Sequence, residues 1–513
     1  MASLLLRSVR RDAPTARVVV VLIAAGVVGL FAVARVDHVG PLSGRAFAFV
    51  ESLPLPAYPI ALVAVAAMFI AQRIWWVGLA AFFAWLPFED LVRKFADNDI
   101  RVYFVKDFLL IVALVGLGPR LKGCWRRPLG DLWLPTMGVL TFAVVYAVPV
   151  ALYNPVIPII GAHGRFLYAL LFPVGAYIAR DRDRLQAALL WLSVFAAVVC
   201  AVGVVQSIVG PRFLNPSVAP ATLAHLVVTK TLGGADVVRP SGPFADVSRF
   251  ASMTIVATAL SACSLRLARS RLELRLSLVT LGVALAGAFA SGSRTSILVA
   301  PPLAVLAGFA MPARTRRRVL QGIAGIVAAF ALAAGAAGGS ALSQSLNRVT
   351  LYVGTLDPAR STFELSNRLG AYASSATVGI QFGGVIGHGT GTEAIGKRYL
   401  GLPETASQVE SGWGAVASEW GIVGLVGWVV WSLLWTRRTA RMSRLVDTAA
   451  GQIAPVVAGY VASLLLVMFS LGSGFLDNYI ANIFFWFLSG AAMAAEVVSP
   501  SDGANSPRVA LVD

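Results

Sequence analysis

Charge is scarce in this sequence. Asp, Glu, Lys and Arg make up 13% of its 513 residues, where a soluble protein uses roughly a quarter. Too few charged side chains remain to cover a water-facing surface. Cysteine is also rare. Cys124, Cys200 and Cys263 lie far apart, two of them inside apolar runs. That spacing excludes a disulfide framework and argues against a cysteine metal site. The four histidines show no ligand spacing, so neither a metal nor a cofactor is expected. No internal repeat is visible.

Apolar residues are abundant instead, at 58%, and they come in runs rather than at amphipathic spacing. A run of about 20 matches the ~30 Å hydrocarbon core of a bilayer. In lipid every backbone group must bond internally, so such runs are read as helices. Fourteen candidate spans lie near 17–35, 56–71, 74–88, 102–118, 133–151, 165–179, 185–209, 246–265, 276–290, 295–311, 319–338, 412–435, 452–471 and 475–495. The second and third read as a tight hairpin about Arg73 or a re-entrant pair. The first follows a basic patch without a convincing cleavage site and is read as retained. The expected fold is all-α, a polytopic transmembrane bundle of about 12–14 spans with one large external loop between late spans. Residues 1–338 form the first transmembrane region, 339–411 the loop, 412–497 the last transmembrane helices, and 498–513 a disordered cytoplasmic tail.

The net charge of +17 is distributed by side. With the N-terminus in the cytoplasm, the inner loops hold 25 of the 42 Lys and Arg but only 9 of the 25 acidic residues. Basic loops on one side orient a membrane protein. The clusters Arg314–Arg318 and Arg437–Arg444 are therefore read as orientation signals that also face anionic lipid headgroups, and no nucleic-acid partner is expected. Both termini are expected in the cytoplasm of a bacterial cell, with the polar site on the periplasmic side.

On that outer face stand arginines that topology does not favour: Arg165, Arg239, Arg294 and Arg368. Guanidinium groups bind phosphates through planar, bidentate hydrogen bonds, so the set reads as a pyrophosphate site. Arg249 follows Arg239 at the start of the same span. Glu410 and Glu419 flank the entry of the span 412–435. A carboxylate at membrane depth costs roughly 2.5–3.5 kcal/mol on insertion scales, which marks the deeper Glu419 as a partner for an arginine or for backbone groups. Glu410, nearer the surface, is the candidate general base for a sugar hydroxyl. His388 lies in the turn Gly387-His388-Gly389-Thr390-Gly391, which lacks the Lys of a nucleotide loop and reads as a tight turn for close backbone approach. Glu89, beside Asp90 and ahead of Arg93 and Lys94, reads as an acid–base candidate or, preferably, a salt-bridged helix.

These stretches resemble the O-antigen ligase and O-antigen polymerase superfamily of bacterial envelope enzymes. The pieces are Pro87-Phe88-Glu89 leading to Lys106-Asp107, then Arg239-Pro240-Ser241-Gly242-Pro243-Phe244 and Ser291-Gly292-Ser293-Arg294. Arg368 with Gly387–Gly391 and Glu419-Trp420-Gly421-Ile422-Val423-Gly424 complete the series. The resemblance implies an inverting, metal-independent glycosyltransferase of the outer leaflet. Its donor would be a glycan on polyprenyl pyrophosphate and its acceptor a sugar, with a regulator of chain length as a candidate partner. Arg239 and Arg294 would hold the pyrophosphate, with Arg368 contributing. Ligases of this superfamily usually carry a His nine residues before the Glu of the Glu-x-Gly element, where this chain has Glu410. A polysaccharide polymerase is accordingly the first expectation and a ligase the second. A transporter or flippase of lipid-linked sugars is the alternative of another class.

Overall fold

The computed structural model describes residues 57–96, 105–154, 156–210, 212–216, 228–232, 235–308, 339–354, 373–393, 411–468 and 478–497, with isolated residues 102, 317, 321 and 370. About 83% of it is helical. Among the described residues, eight helices are long and apolar enough to cross a membrane. The chain is thus a multi-pass helical protein by length and composition. The candidate spans 17–35 and 319–338, Arg368, Glu410 and the tail 498–513 lie outside the described residues.

Contacts divide the chain into two compact units. The first draws on Met1–Arg120, Ala201–Thr229 and Val238–Phe250, the second on Leu121–Cys200, Lys230–Val237 and Ala251–Asp513.

In the first unit, α1 (Ala57–Phe95) packs along α2 (Val105–Leu117). The expected hairpin at 56–71 and 74–88 is absent: α1 runs unbroken for 39 residues. Nothing around Gln72-Arg73-Ile74 breaks a helix, because none of these residues is Gly or Pro and one charge does not end a helix. Pro87 sits inside α1, as membrane helices tolerate. At 1.5 Å per residue α1 reaches about 58 Å, far beyond the ~30 Å hydrocarbon core. A side-chain carbon at Gly78 would lie at van der Waals contact with Ala113 of α2.

In the second unit come α3 (Trp133–Val145), α4 (Val156–Phe166), α5 (Leu171–Ile178) and α6 (Arg182–Val209), the last running on past the unit boundary. Strands β1 (Val228–Leu232) and β2 (Ala235–Arg239) form a small hairpin, the one strand pair among the described residues. There follow α7 (Val247–Leu267), α8 (Arg271–Ala290), α9 (Arg294–Gly308), α10 (Gly339–Gly354), α11 (Gly412–Met442), α12 (Ala449–Ala462) and α13 (Tyr479–Met493). Ser270 and Glu273 form a capping box at the start of α8, which satisfies two orphan amides. The 339–411 segment contains α10 and a second helix at 373–383.

α7 and α13 are the central helices, with 94% of each apolar window buried. α13 meets α5 backbone to backbone: a side chain at Gly175 would strike Phe487 O, and one at Gly490 would strike Phe172 O. Small residues at such a crossing let membrane helices approach closely. Along α11, Trp428, Trp431 and Trp435 pack with tilted rings, centroids 4.9 and 5.0 Å apart. Their indoles are tied across the bundle, Trp431 to Thr136 at 3.2 Å and Trp435 to Ser489 at 3.0 Å.

Gly490→Leu is expected to wedge α5 from α13. Overpacking of this kind costs about 1–3 kcal/mol and should lower the thermal midpoint of detergent-purified protein. Gly138→Ala, where a side chain meets nothing within 4 Å, should leave that midpoint unchanged.

Candidate functional site at a broken helix

α11 starts on Ser411, whose hydroxyl accepts from Gly414 N at 3.0 Å. It does not continue as one helix. Gly421 has φ 66° and ψ −171°, a conformation that side chains resist. The break diverts the helical ladder: Ile422 N donates to Gly384 O at 3.0 Å, not to Ser418 O.

The carbonyls it abandons are capped by the glycine-rich turn. His388 N donates to Ser418 O at 3.0 Å and Gly389 N to Glu419 O at 2.7 Å. Thr390 N reaches Tyr146 O at 3.0 Å, its hydroxyl reaches Ala143 O at 2.7 Å, and Trp420 Nε1 donates to that hydroxyl at 3.0 Å. Gly387, Gly389 and Gly391 all have positive φ. A side chain at these positions would collide with α11, with the 146–150 segment or with Ile157 at the start of α4. The alternating glycines thus serve the protein's own backbone, where sequence reading had them approach a ligand.

The arginine expected for Glu419 is Arg165, at the end of α4. Its Nη2 donates to Oε1 at 2.9 Å and its Nη1 to Oε2, a fork-to-fork pair exposed 2% and 0%. Asn482 of α13 donates to Gly164 O at 2.8 Å and Arg165 O at 3.1 Å, which fixes the helix end that carries the guanidinium. Arg165 therefore lies in an ion pair, whereas sequence reading placed it among the pyrophosphate ligands.

A carboxylate that sequence reading passed over completes the site. Glu393 N donates to Glu419 Oε1 at 2.8 Å, and Glu393 Oε1 accepts from the Ser418 hydroxyl at 2.8 Å. Glu393 is half-buried, while Ser418 and Glu419 are fully buried. It is the outermost carboxylate of a network whose inner end is the ion pair. Its only sequence signal was its place two residues after the glycine turn. His388 is exposed, stacked on Phe382 at 4.4 Å, with Nδ1 3.3 Å from Ser418 O. A carbonyl only accepts, so the ring nitrogen donates in this contact. Beside this network, Trp420 heads an apolar cavity of about 400 Å³ between α3 and α11, lined also by Phe142, Gly424, Trp428 and Trp431.

Arg294 belongs to this second unit. It is half-buried and opens α9 after a turn in which Gly292 has φ 63° and Ser293 N donates to Ser291 Oγ at 3.1 Å. α10 reaches the same region, Tyr352 donating to Phe289 O at 2.8 Å. Arg348, one helical turn before Tyr352, is 3% exposed and was not singled out by sequence reading.

The first unit holds its own group of charges. Lys106 pairs with Glu89 at 3.0 Å. Asp90 receives Arg93 at 3.2 Å and Arg249 at 2.6 Å. Glu89, Asp90, Arg93 and Lys106 are fully buried, so the salt-bridged reading of Glu89 matches the structure, and burial exceeds what an interfacial helix implied. The structure thus brings Glu89 together with Arg249 through Asp90, and Arg165 with Glu419. Arg239, half-buried at the end of β2, belongs to the first unit.

The chain matches no protein-family model, and no curated protein is significantly similar to it.

Glu419→Gln should destabilise the protein strongly, by about 3–5 kcal/mol, because it leaves a buried guanidinium without its counter-charge. The double change Arg165→Met with Glu419→Leu should recover most of that loss. Thermal unfolding of the three purified variants measures both outcomes.

Proposed function

We propose that this protein transfers a glycan from a polyprenyl-pyrophosphate carrier to an acceptor sugar at the outer face of a bacterial cytoplasmic membrane. The first product would be a lengthened polysaccharide, and the close variant is ligation to a lipid or protein acceptor. In this reading both termini are cytoplasmic and the 339–411 segment lies outside. The observation that carries the proposal is the break at Glu419-Trp420-Gly421. Irregular backbone at membrane depth is tolerated only where it is buried in protein or lines a cavity. Here it joins a half-buried carboxylate to a buried ion pair inside an otherwise apolar span. Glu419-Trp420-Gly421 is also part of the resemblance described above, which implies a glycosyltransferase.

The acceptor hydroxyl attacks the anomeric carbon, and the bond from that carbon to the phosphate oxygen breaks. The electron pair leaves with the diphosphate, whose charge arginines would stabilise, the resemblance naming Arg239, Arg294 and Arg368 for that role. The hydroxyl proton passes to a carboxylate. Glu410 is the candidate by resemblance, and Glu393 is the candidate by position. An anionic leaving group needs charge stabilisation more than protonation.

A second reading draws on the same break. Discontinuous helices with buried charges are also the mark of transporters, so export of the lipid-linked sugar is the alternative. Detergent micelles separate the two, because they contain no gradient and no second compartment. Purified protein with a defined carrier-linked oligosaccharide should yield a ladder of longer products. Arg294→Lys should cut that rate by roughly a hundredfold, the scale for losing a charge-stabilising donor. Unaltered oligosaccharide, with translocation in proteoliposomes, would replace the transferase with the transporter.

A further inference from the structure

The apolar cavity between α3 and α11 is framed by three ties between those helices. At one end Arg438, 5% exposed, joins α11 to the segment just before α3. Its Nε and Nη2 donate to Pro128 O at 3.2 and 2.9 Å, and its Nη1 pairs with Asp131. Midway, Trp431 donates to Thr136. At the other end the rings of Phe142 and Trp420 meet edge to face at 5.8 Å. Between these ties the lining includes Gly138, Gly424 and Gly427. A side chain at Gly138 or Gly427 would meet nothing within 4 Å. The space of about 400 Å³ is therefore a gap that the protein's own side chains leave unfilled.

Its walls suit hydrocarbon. The indole nitrogens of Trp420 and Trp431 are already bonded to the Thr390 and Thr136 hydroxyls, and the remaining lining residues carry no polar side-chain group apart from Trp428. From Trp420 to Leu434 the gap follows α11 for fourteen residues, about 21 Å at 1.5 Å per residue. Half of the ~30 Å hydrocarbon core is shorter than that, so a chain entering from one face would pass the midplane. An empty apolar gap forfeits dispersion contacts, and a hydrocarbon chain restores them.

The two ends differ in charge. On α11 the lining positions Gly427, Trp428, Trp431 and Leu434 recur at helical spacing. Arg437 and Arg441 continue that stripe three and seven residues beyond Leu434, and both are exposed. Over residues 126–131 and 437–447 six arginines stand against Asp131 and Asp447. With Glu496, which pairs with Arg438, the excess is three positive charges. Arg438 takes up Asp131 and Glu496, and Arg441 adds a 3.6 Å contact to Asp131. Exposed guanidinium groups at the mouth of an apolar groove match one kind of molecule, an anionic lipid with its phosphate on the arginines and a chain in the groove.

We propose that the groove between α3 and α11 binds one anionic phospholipid, with its phosphate on Arg437 and Arg441 and one acyl chain running toward Trp420. This is a discrete, saturable site, beyond the general attraction of basic loops to headgroups. It stands whether the protein transfers or exports a glycan.

The test is titration of the full chain in detergent with dioleoyl phosphatidylglycerol and, separately, dioleoyl phosphatidylcholine, with bound lipid counted by native mass spectrometry. The wild type should bind one phosphatidylglycerol at least about tenfold more tightly than phosphatidylcholine, the scale for two basic residues beside an anionic headgroup. Arg437→Gln with Arg441→Gln should abolish that preference and leave phosphatidylcholine binding unchanged. Gly427→Leu should weaken both lipids by at least about tenfold, because it fills the groove. Leucine is a better helix former than glycine and meets no clash at this position, so the lipid-free thermal midpoint of Gly427→Leu should hold or rise. That variant keeps the test decisive if the arginine variant fails to fold. Equal affinity of the wild type for the two lipids overturns the site, as does undiminished phosphatidylglycerol binding in either folded variant. A polyprenyl phosphate bound more tightly than phosphatidylglycerol, and equally well by the arginine variant, would give the groove to a chain from the opposite face and also overturn the assignment.

Discussion

A helix inside a membrane cannot leave backbone groups unpaired, and that constraint organises the second unit. Gly421 turns α11 out of helical geometry, and the two carbonyls this strands need donors from elsewhere. His388 and Gly389 supply them. To bring those amides within reach, the turn must press its own backbone against α11 and the 146–157 region, and only glycine at 387, 389 and 391 allows it. The same approach carries Glu393 into contact with Ser418 and Glu419. Break, turn and polar network are joined by hydrogen bonds into one construction.

Both units bury charge, and they settle its cost differently. Around Glu419 the pairing is closed: two carboxylate oxygens meet two guanidinium nitrogens, and a backbone amide takes one remaining lone pair. Around Asp90 two arginines share one carboxylate, and Lys94 beside them rests on neutral oxygens. A closed pair contributes shape and specificity more than stability. In both units the buried charges hold the scaffold.

Much of the helical pattern was legible in the sequence, because lipid imposes length and apolar composition on each span. The starts of α6, α7, α9 and α13 fall within a few residues of their expected positions. The hairpin at Arg73 was misread because a single charge in an apolar run suggests a surface turn, yet nothing there stops a helix. Glu419 was recognisable as a partner for an arginine, since a carboxylate in an apolar run demands one. That Arg165 is this partner was not recognisable: 254 residues separate them, and only packing brings α4 to α11. Glu393 was invisible for a related reason. It looks like an ordinary loop residue until the glycine turn is seen to be folded into the helix break.

The central claim is that the glycine-rich turn is a structural cap on α11 and not an open loop. Amide hydrogen exchange over residues 384–393, read by mass spectrometry on the detergent-purified protein, tests it most directly. The capped arrangement predicts that the amides of His388, Gly389 and Thr390 are protected as strongly as those of the neighbouring helices. Exchange of these amides at the rate of an unstructured peptide would contradict it, and the site built on the break would then have no foundation.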